Sequence, residues 1–314
     1  VISRDAGNGP AVLMVLGSCI SLQVGAASAA QLFPTMGSAG VTLLRLLVAA
    51  AVLLIATRPH LRRWTWRQWM AVVAFGLCLA GMNASFYAAI ARIPLGAAVT
   101  IEFLGPLVLA AVLSRRMRDL GWVLLAAAGV VLLGLAAHAG AGSGLDRIGV
   151  AFALLAGVFW AGYILTSARV GAAVPGQGGL AVALAVGSLA LVPVGAAGAA
   201  AAIGRPDLLL LGAVTGLLAS VVPYTLELSA LRRLTPSVFG VLLSLEPAIA
   251  ALAGWLLLDQ PLGAREAAAV ALVVLASIGS TTFAQRPAGS DPPAPPTDVG
   301  QAPPAVEKQV PQLS

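Results

Sequence analysis

Four ionisable side chains lie inside long apolar runs of the sequence: Arg45, Glu102, Glu227 and Glu246. A charge near the centre of a bilayer costs at least about 2.5–3.5 kcal/mol, so residues of this kind usually carry function. A carboxyl taken out of water can hold a proton and release it when a cation arrives, exchanging one for the other. A guanidinium offers a planar fork that matches a carboxylate. Side by side, these groups could handle a small zwitterion, or trade a proton for an amine.

Each residue also has a plainer reading. Arg45 stands within GVTLLRLLVAA, and its long stem could snorkel to the nearer interface or pair with an intramembrane Glu. Glu102 has seven residues of its run before it and twelve after it. So short a side chain cannot snorkel from there, which leaves a protonated carboxyl bonded to a neighbouring helix as the structural alternative. Glu227 is near the end of its run, where an interfacial position is equally open. Glu246 directly precedes Pro247, which has no N–H to give the carbonyl of Leu243; Pro106 likewise frees the carbonyl of Glu102 itself. Interrupted helices are tolerated only against protein or a wet cavity, and Pro193 and Pro223 predict further breaks. Uncharged polar residues fall into stripes: Asn83 with Tyr87, Trp160 with Tyr163 and Ser167, and Ser220 with Tyr224 and Glu227. Any one of these could be polar glue between helices. Stripes on five segments together predict a central hydrophilic cavity.

The elements that would position these groups are membrane helices. Of the 314 residues, 59% are hydrophobic and 10% charged, against about 25% charged in soluble domains. So few charges cannot cover a water-soluble globule of this length, which argues against a soluble enzyme, a nucleic-acid binder and a disordered scaffold, despite the net charge of +6. A crossing helix needs about 20 mostly apolar residues. Ten runs qualify: 11–30, 39–57, 69–91, 95–114, 120–137, 149–168, 180–201, 208–230, 236–257 and 267–284. None alternates as the strands of a membrane β-barrel would. The fold class expected is therefore an all-α polytopic membrane protein of ten transmembrane helices. Ala27-Ser28-Ala29 resembles a cleavage site, but only Arg4, offset by Asp5, precedes the first run, so it is read as a span rather than a removed signal.

Basic residues in short loops set orientation. With the N-terminus inside, the cytoplasmic side holds 12 arginines and the opposite side only Arg92, Arg147, Arg205 and Arg265. Both termini are then cytoplasmic, and Trp64, Trp66 and Trp69 form an interfacial anchor beside Arg58, Arg62, Arg63 and Arg67. Residues 285–314 hold eight of the 20 prolines and read as a disordered cytoplasmic tail. Cys19 and Cys78 fall in apolar runs as small hydrophobes, and no Cys/His spacing predicts a metal site.

Ten spans invite a search for two halves. The stretch 89–116 aligns with 230–257, so that Arg92 matches Arg233 and Pro106 matches Pro247, each proline fourteen residues after its arginine. Halves of five spans must be oppositely oriented, giving an inverted repeat whose binding site lies at the midplane between them. The expected organisation is a short N-terminus (1–10), a first five-helix repeat (11–137), a second (147–284) and the tail (285–314). No phosphate-binding loop is present, so any pumping would draw on an ion gradient, with a proton the simplest choice given the carboxyls.

The blocks LFPTMGSAGVTLLRL (32–46), GMNASFYAAIARIPLGAAVTIEFLGPL (81–107), WAGYIL (160–165), PYTLELSALRRL (223–234), FGVLLSLEPAIAAL (239–252) and SIGST (277–281) resemble the drug/metabolite transporter superfamily in its EamA-type group, and within it the bacterial inner-membrane threonine/homoserine exporters. The resemblance spans roughly 11–283. It implies a non-enzymatic, cofactor-free exporter of threonine, homoserine or similar amino acids across the bacterial inner membrane. Alternating access coupled to proton antiport is the implied mechanism. Its partners would be the amino acid, protons and the lipid bilayer. The motif positions carried over are Arg45, Asn83, Tyr87, Glu102, Tyr163, Tyr224, Glu227 and Glu246. By chemistry, Glu102 would take the ammonium or proton, Arg45 the carboxylate, and the Tyr and Asn residues the side chain. Efflux of another metabolite, such as an aromatic amino acid or a purine analogue, and a non-transporting membrane receptor are the alternatives.

Overall fold

A computed structural model describes residues 9–114, 117–141, 144–174, 176–231, 233–234 and 236–284. The N-terminal residues 1–8, Arg115, Arg116, Arg232 and the proline-rich stretch 285–314 lie outside the described residues. The described chain is helical, with no strand: α1 (Gly9–Ala30), α2 (Phe33–Thr57), α3 (Trp66–Ile90), α4 (Leu95–Glu102), α5 (Leu104–Ser114), α6 (Met117–Ala141), α7 (Arg147–Ala173), α8 (Gly178–Ala200), α9 (Pro206–Gly216), α10 (Val222–Leu231), α11 (Pro236–Leu243), α12 (Glu246–Leu258) and α13 (Ala264–Ala284). Among the described residues, nine stretches are long and apolar enough to cross a membrane, and α6 carries a shorter apolar stretch, Leu120–Leu135.

Local chemistry fixes many of these limits. Thr65 and Gln68 form a capping box at the start of α3, and the Asp146 carboxylate accepts from the Ile148 and Gly149 N–H groups to open α7. Helix α2 begins at Phe33, six residues before the apolar run expected at 39, because Pro34 suits a first turn. Gly37, with non-helical backbone at φ 65° and ψ 161°, kinks the element and separates this short opening segment from the long helix that follows.

The proline breaks follow the missing N–H groups. Helix α4 ends at Glu102 and α5 starts at Leu104, ahead of Pro106; α11 ends at Leu243 and α12 starts at Glu246, ahead of Pro247. Before Pro223 the chain winds into a π turn over Leu217–Val221. Pro193 departs from expectation, since α8 runs through it unbroken. Its ring lies on an exposed face, while Gly187, Leu191 and Gly195 on the opposite face are buried and hold the helix in line.

The helices meet through small residues. A Cβ on Gly198 of α8 would stand 2.0 Å from the Met36 carbonyl oxygen of α2, and one on Gly105 of α5 would stand 2.0 Å from the Gly157 carbonyl oxygen of α7. Such crossings let backbones touch where apolar surroundings supply no hydrophobic drive. Large apolar side chains such as Leu13, Ile55 and Leu189 point outward. That inversion of the usual pattern is the surface of a multi-pass membrane protein. At the end of the bundle carrying the α1–α2, α3–α4 and α8–α9 turns, Ala29, Leu32, Met36, Ile90, Ile93, Leu95 and Ala202 close into a dry apolar cluster.

Candidate functional site

A cavity of about 540 Å³ runs through the middle of the bundle. All eight residues singled out from the sequence line it: Arg45 from α2, Asn83 and Tyr87 from α3, Glu102 from α4, Tyr163 from α7, Tyr224 and Glu227 from α10, and Glu246 from α12. Pro106 also lines it, whereas Pro247 does not. Two of the three carboxyls, Glu102 and Glu246, stand at helix ends ahead of a proline, and Glu227 lies one turn after Pro223 within α10.

Arg45 is 3% exposed, which overturns the snorkelling alternative. One guanidinium nitrogen, Nη2, donates to Asn83 Oδ1; the other, Nη1, donates to the Ala219 carbonyl at 3.2 Å. Ala219 stands four residues before Pro223, which has no N–H to give it, so the proline leaves an acceptor for the arginine. The guanidinium carbon sits 4.7 Å from the centre of the Tyr87 ring, a cation–π contact. That ring is held in turn by Phe33 and Phe86 at 5.8 and 5.6 Å. Among the described residues no carboxylate forms an ion pair with Arg45, and its Nε has no partner. The arginine is thus oriented by neutral groups and keeps its charge uncompensated.

The three acids differ in how they are held. Glu227 accepts from Ser18 Oγ at 2.8 Å, and Glu246 accepts from Gln23 Nε2 at 3.1 Å, which tethers both to α1. Glu102, 7% exposed, makes no side-chain hydrogen bond with the described residues. The bonded-carboxyl alternative is therefore not realised for Glu102, and its carboxyl is the untethered one. The ring of Trp160 closes the wall beside it, edge-to-face with Phe103 at 4.8 Å, and Tyr163 leans on Phe75 at 5.2 Å.

Exposure along the cavity is graded. At one end Ala26, Tyr87 and Val99 are buried beneath the apolar cluster; at the other Ser167, Glu227, Phe239, Gly240 and Thr281 are partly exposed. Among the described residues the mouth lies at the end carrying the α10–α11 turn.

The sequence stripes did not capture every member. Ser220 is buried and outside the lining, because the π turn it sits on breaks the 3.6-residue register that put it on a face with Tyr224. Gln23 and Ser18 were missed as ligands of the acids. The signal for Gln23 was present: a lone amide deep in the apolar run of α1. Ser277 and Thr281 of α13 also line the cavity, and single hydroxyls in an Ala/Val-rich helix give no such signal.

A model of the EamA-like transporter family matches residues 147–282. The threonine/homoserine exporter RhtA of Salmonella typhimurium (strain SL1344) is 40% identical over 276 residues, which is 88% of this chain and 92% of the exporter. The exporter of the same name from Escherichia coli (strain K12) is 39% identical over the same shares. One solved crystal structure superposes with a TM-score of 0.58 at 20% identity, covering 90% of this chain and 98% of its own, a likeness of fold alone.

Proposed function

The chain belongs to the EamA-like transporter family, and from that membership we propose that it exports small amino acids, threonine and homoserine among them, from the cytoplasm of a bacterium. The observation that carries the reading is a single cavity presenting an uncompensated guanidinium, Arg45, and an untethered carboxyl, Glu102. That pair suits the two charged ends common to every amino acid. Arg45 receives the carboxylate; Glu102 receives the ammonium or, when the site is empty, a proton. Asn83, Tyr87, Tyr163 and Tyr224 face the side chain, and Glu227 and Glu246 tie α1 to the second half of the chain.

Export is then proton antiport by alternating access, with ten helices in two inverted repeats, 11–137 and 147–284. The matched fourteen-residue spacing of Arg92 to Pro106 and Arg233 to Pro247 supports that symmetry, as do the paired helix breaks ahead of the two prolines. The 12-to-4 arginine bias supports cytoplasmic termini in the inner membrane. In that orientation the mouth at the α10–α11 end faces the cytoplasm, the side from which cargo for export enters.

Counterflow in proteoliposomes tests the reading. Vesicles loaded with unlabelled threonine or homoserine should accumulate labelled substrate, and an imposed pH gradient should drive net movement. Absence of exchange for both amino acids, with the protein verified in the vesicles, rejects the substrate class; gradient-insensitive exchange rejects the coupling.

Arg45→Gln should raise the half-saturating concentration by about 10- to 150-fold, the worth of hydrogen bonds to a charged group. Threonine amide, which lacks the carboxylate, should be affected far less. An equal loss for threonine and its amide would remove Arg45 from carboxylate recognition.

A further inference from the structure

A second cavity, of about 560 Å³, lies between the α2–α3 and α7–α8 connections. Arg58, His60 and Arg63 line it together with Trp64, Gln68 and Gln177. No Asp or Glu occurs in residues 58–68 or 169–178, so neither connection supplies a counter-charge. The ion pairs of the described residues, Arg92 with Asp146 and Arg205 with Asp207, belong to loops at the opposite end of the bundle. Two guanidinium groups therefore share a concave site without an acid of their own.

The site is built rather than a loose collar. Arg58 holds the left-handed conformation (φ 43°), rare for a side-chain-bearing residue, with its N–H bonded to the Leu54 carbonyl. A single 3-10 turn, Leu61–Arg63, then brings Arg63 back to the same cavity. The two connections are locked together: Gln68 Nε2 donates to the Ala173 carbonyl at 2.6 Å, and Pro59 packs so closely on Gly178 that a Cβ there would meet it at 3.0 Å. The same wall contains Gln177 and Gly178, at the start of α8, where no side chain caps the helix. Around the basic rim the surface turns apolar: Trp66 is 76% exposed, with Ile55, Leu61 and Met70 also exposed. Water gives those side chains no stabilising contact, whereas acyl chains do.

We propose that this cavity binds the phosphate of an acidic phospholipid headgroup. Arg58 and Arg63 meet the anion, while Trp66 and its apolar neighbours meet the tails. Phosphate chemistry is shared with the free ion, and the apolar rim favours the lipid as its source.

Native mass spectrometry of the full chain in neutral detergent tests the site. Wild-type protein should retain phosphatidylglycerol at least about tenfold over zwitterionic phosphatidylcholine, and retention should fall as sodium chloride is raised. The double substitution Arg58→Gln, Arg63→Gln should weaken retention by about thirtyfold, whereas Arg205→Gln with Arg265→Gln, equal in charge and at the opposite end, should leave it unchanged. Millimolar inorganic phosphate should not displace the lipid. Equal retention of the two lipids, or full retention by the Arg58, Arg63 double variant, overturns the site. Displacement by inorganic phosphate overturns the lipid as its occupant. If the double variant does not fold, the wild-type comparison decides alone: salt-insensitive or headgroup-blind retention overturns the proposal.

Discussion

Glu102→Gln is expected to reduce transport driven by a pH gradient to the background of empty vesicles, with the protein still inserted at wild-type level. The substitution is nearly isosteric and removes the negative charge, and with it the ability to take up and release a proton. Glu102 forms no side-chain hydrogen bond with the described residues, so no partner is left unsatisfied by the change. Glu227→Gln and Glu246→Gln act differently, because each alters a bond that holds α1, to Ser18 and Gln23 respectively. Their effect should appear partly as lower stability, whereas that of Glu102→Gln should appear in transport, as lost proton coupling and a weaker hold on the substrate ammonium. Reconstituted Glu102→Gln protein with the pH dependence of the wild type would show that another group carries the proton.

Gly105→Val is expected to produce the largest structural loss. Its first side-chain carbon would meet the Gly157 carbonyl oxygen at 2.0 Å, a backbone atom that cannot rotate away. Overpacking in a dense interior costs about 1–3 kcal/mol even where side chains can yield, and here α5 and α7 must separate instead. Separation would pull the Phe103–Trp160 contact apart and widen the wall beside Glu102. Little folded protein should be recovered from membranes, and what remains should denature at markedly lower temperature. Gly171→Ala, with nothing within 4 Å of the added carbon, should be neutral or slightly stabilising through its helix propensity. Similar thermal stability for the two variants would mean that the crossing is far looser than the geometry requires.

Much of this architecture was legible in the sequence because lipid imposes simple demands. Apolar run length marked the helices, and two missing proline N–H groups marked the breaks that frame Glu102 and Glu246. The eight polar positions line one cavity because each is a polar group in an apolar run that has to turn inward. The rest depended on winding and on contacts far apart in sequence. Arg45 had three possible destinations, and only the α2, α3 and α10 arrangement distinguishes them: its acceptor on Ala219 exists because of a proline in another helix. Ser220 was misplaced by a π turn that no local composition announces, and Pro193 was absorbed by packing on the far face of α8. Gln23 could have been found by treating a buried amide with the same suspicion as a buried charge, since both need partners.

The dry cluster of Ala29, Leu32, Met36, Ile90, Ile93 and Leu95 has an energetic consequence for the cell. A file of water reaching from one face of the bilayer to the other would conduct protons continuously and drain the proton-motive force. Water enters a space only where polar groups can hold it, and this plug offers almost none. Under the proposed antiport, an idle carrier with its cavity filled from one side would not leak, and the stored gradient would be drawn on only when cargo moves.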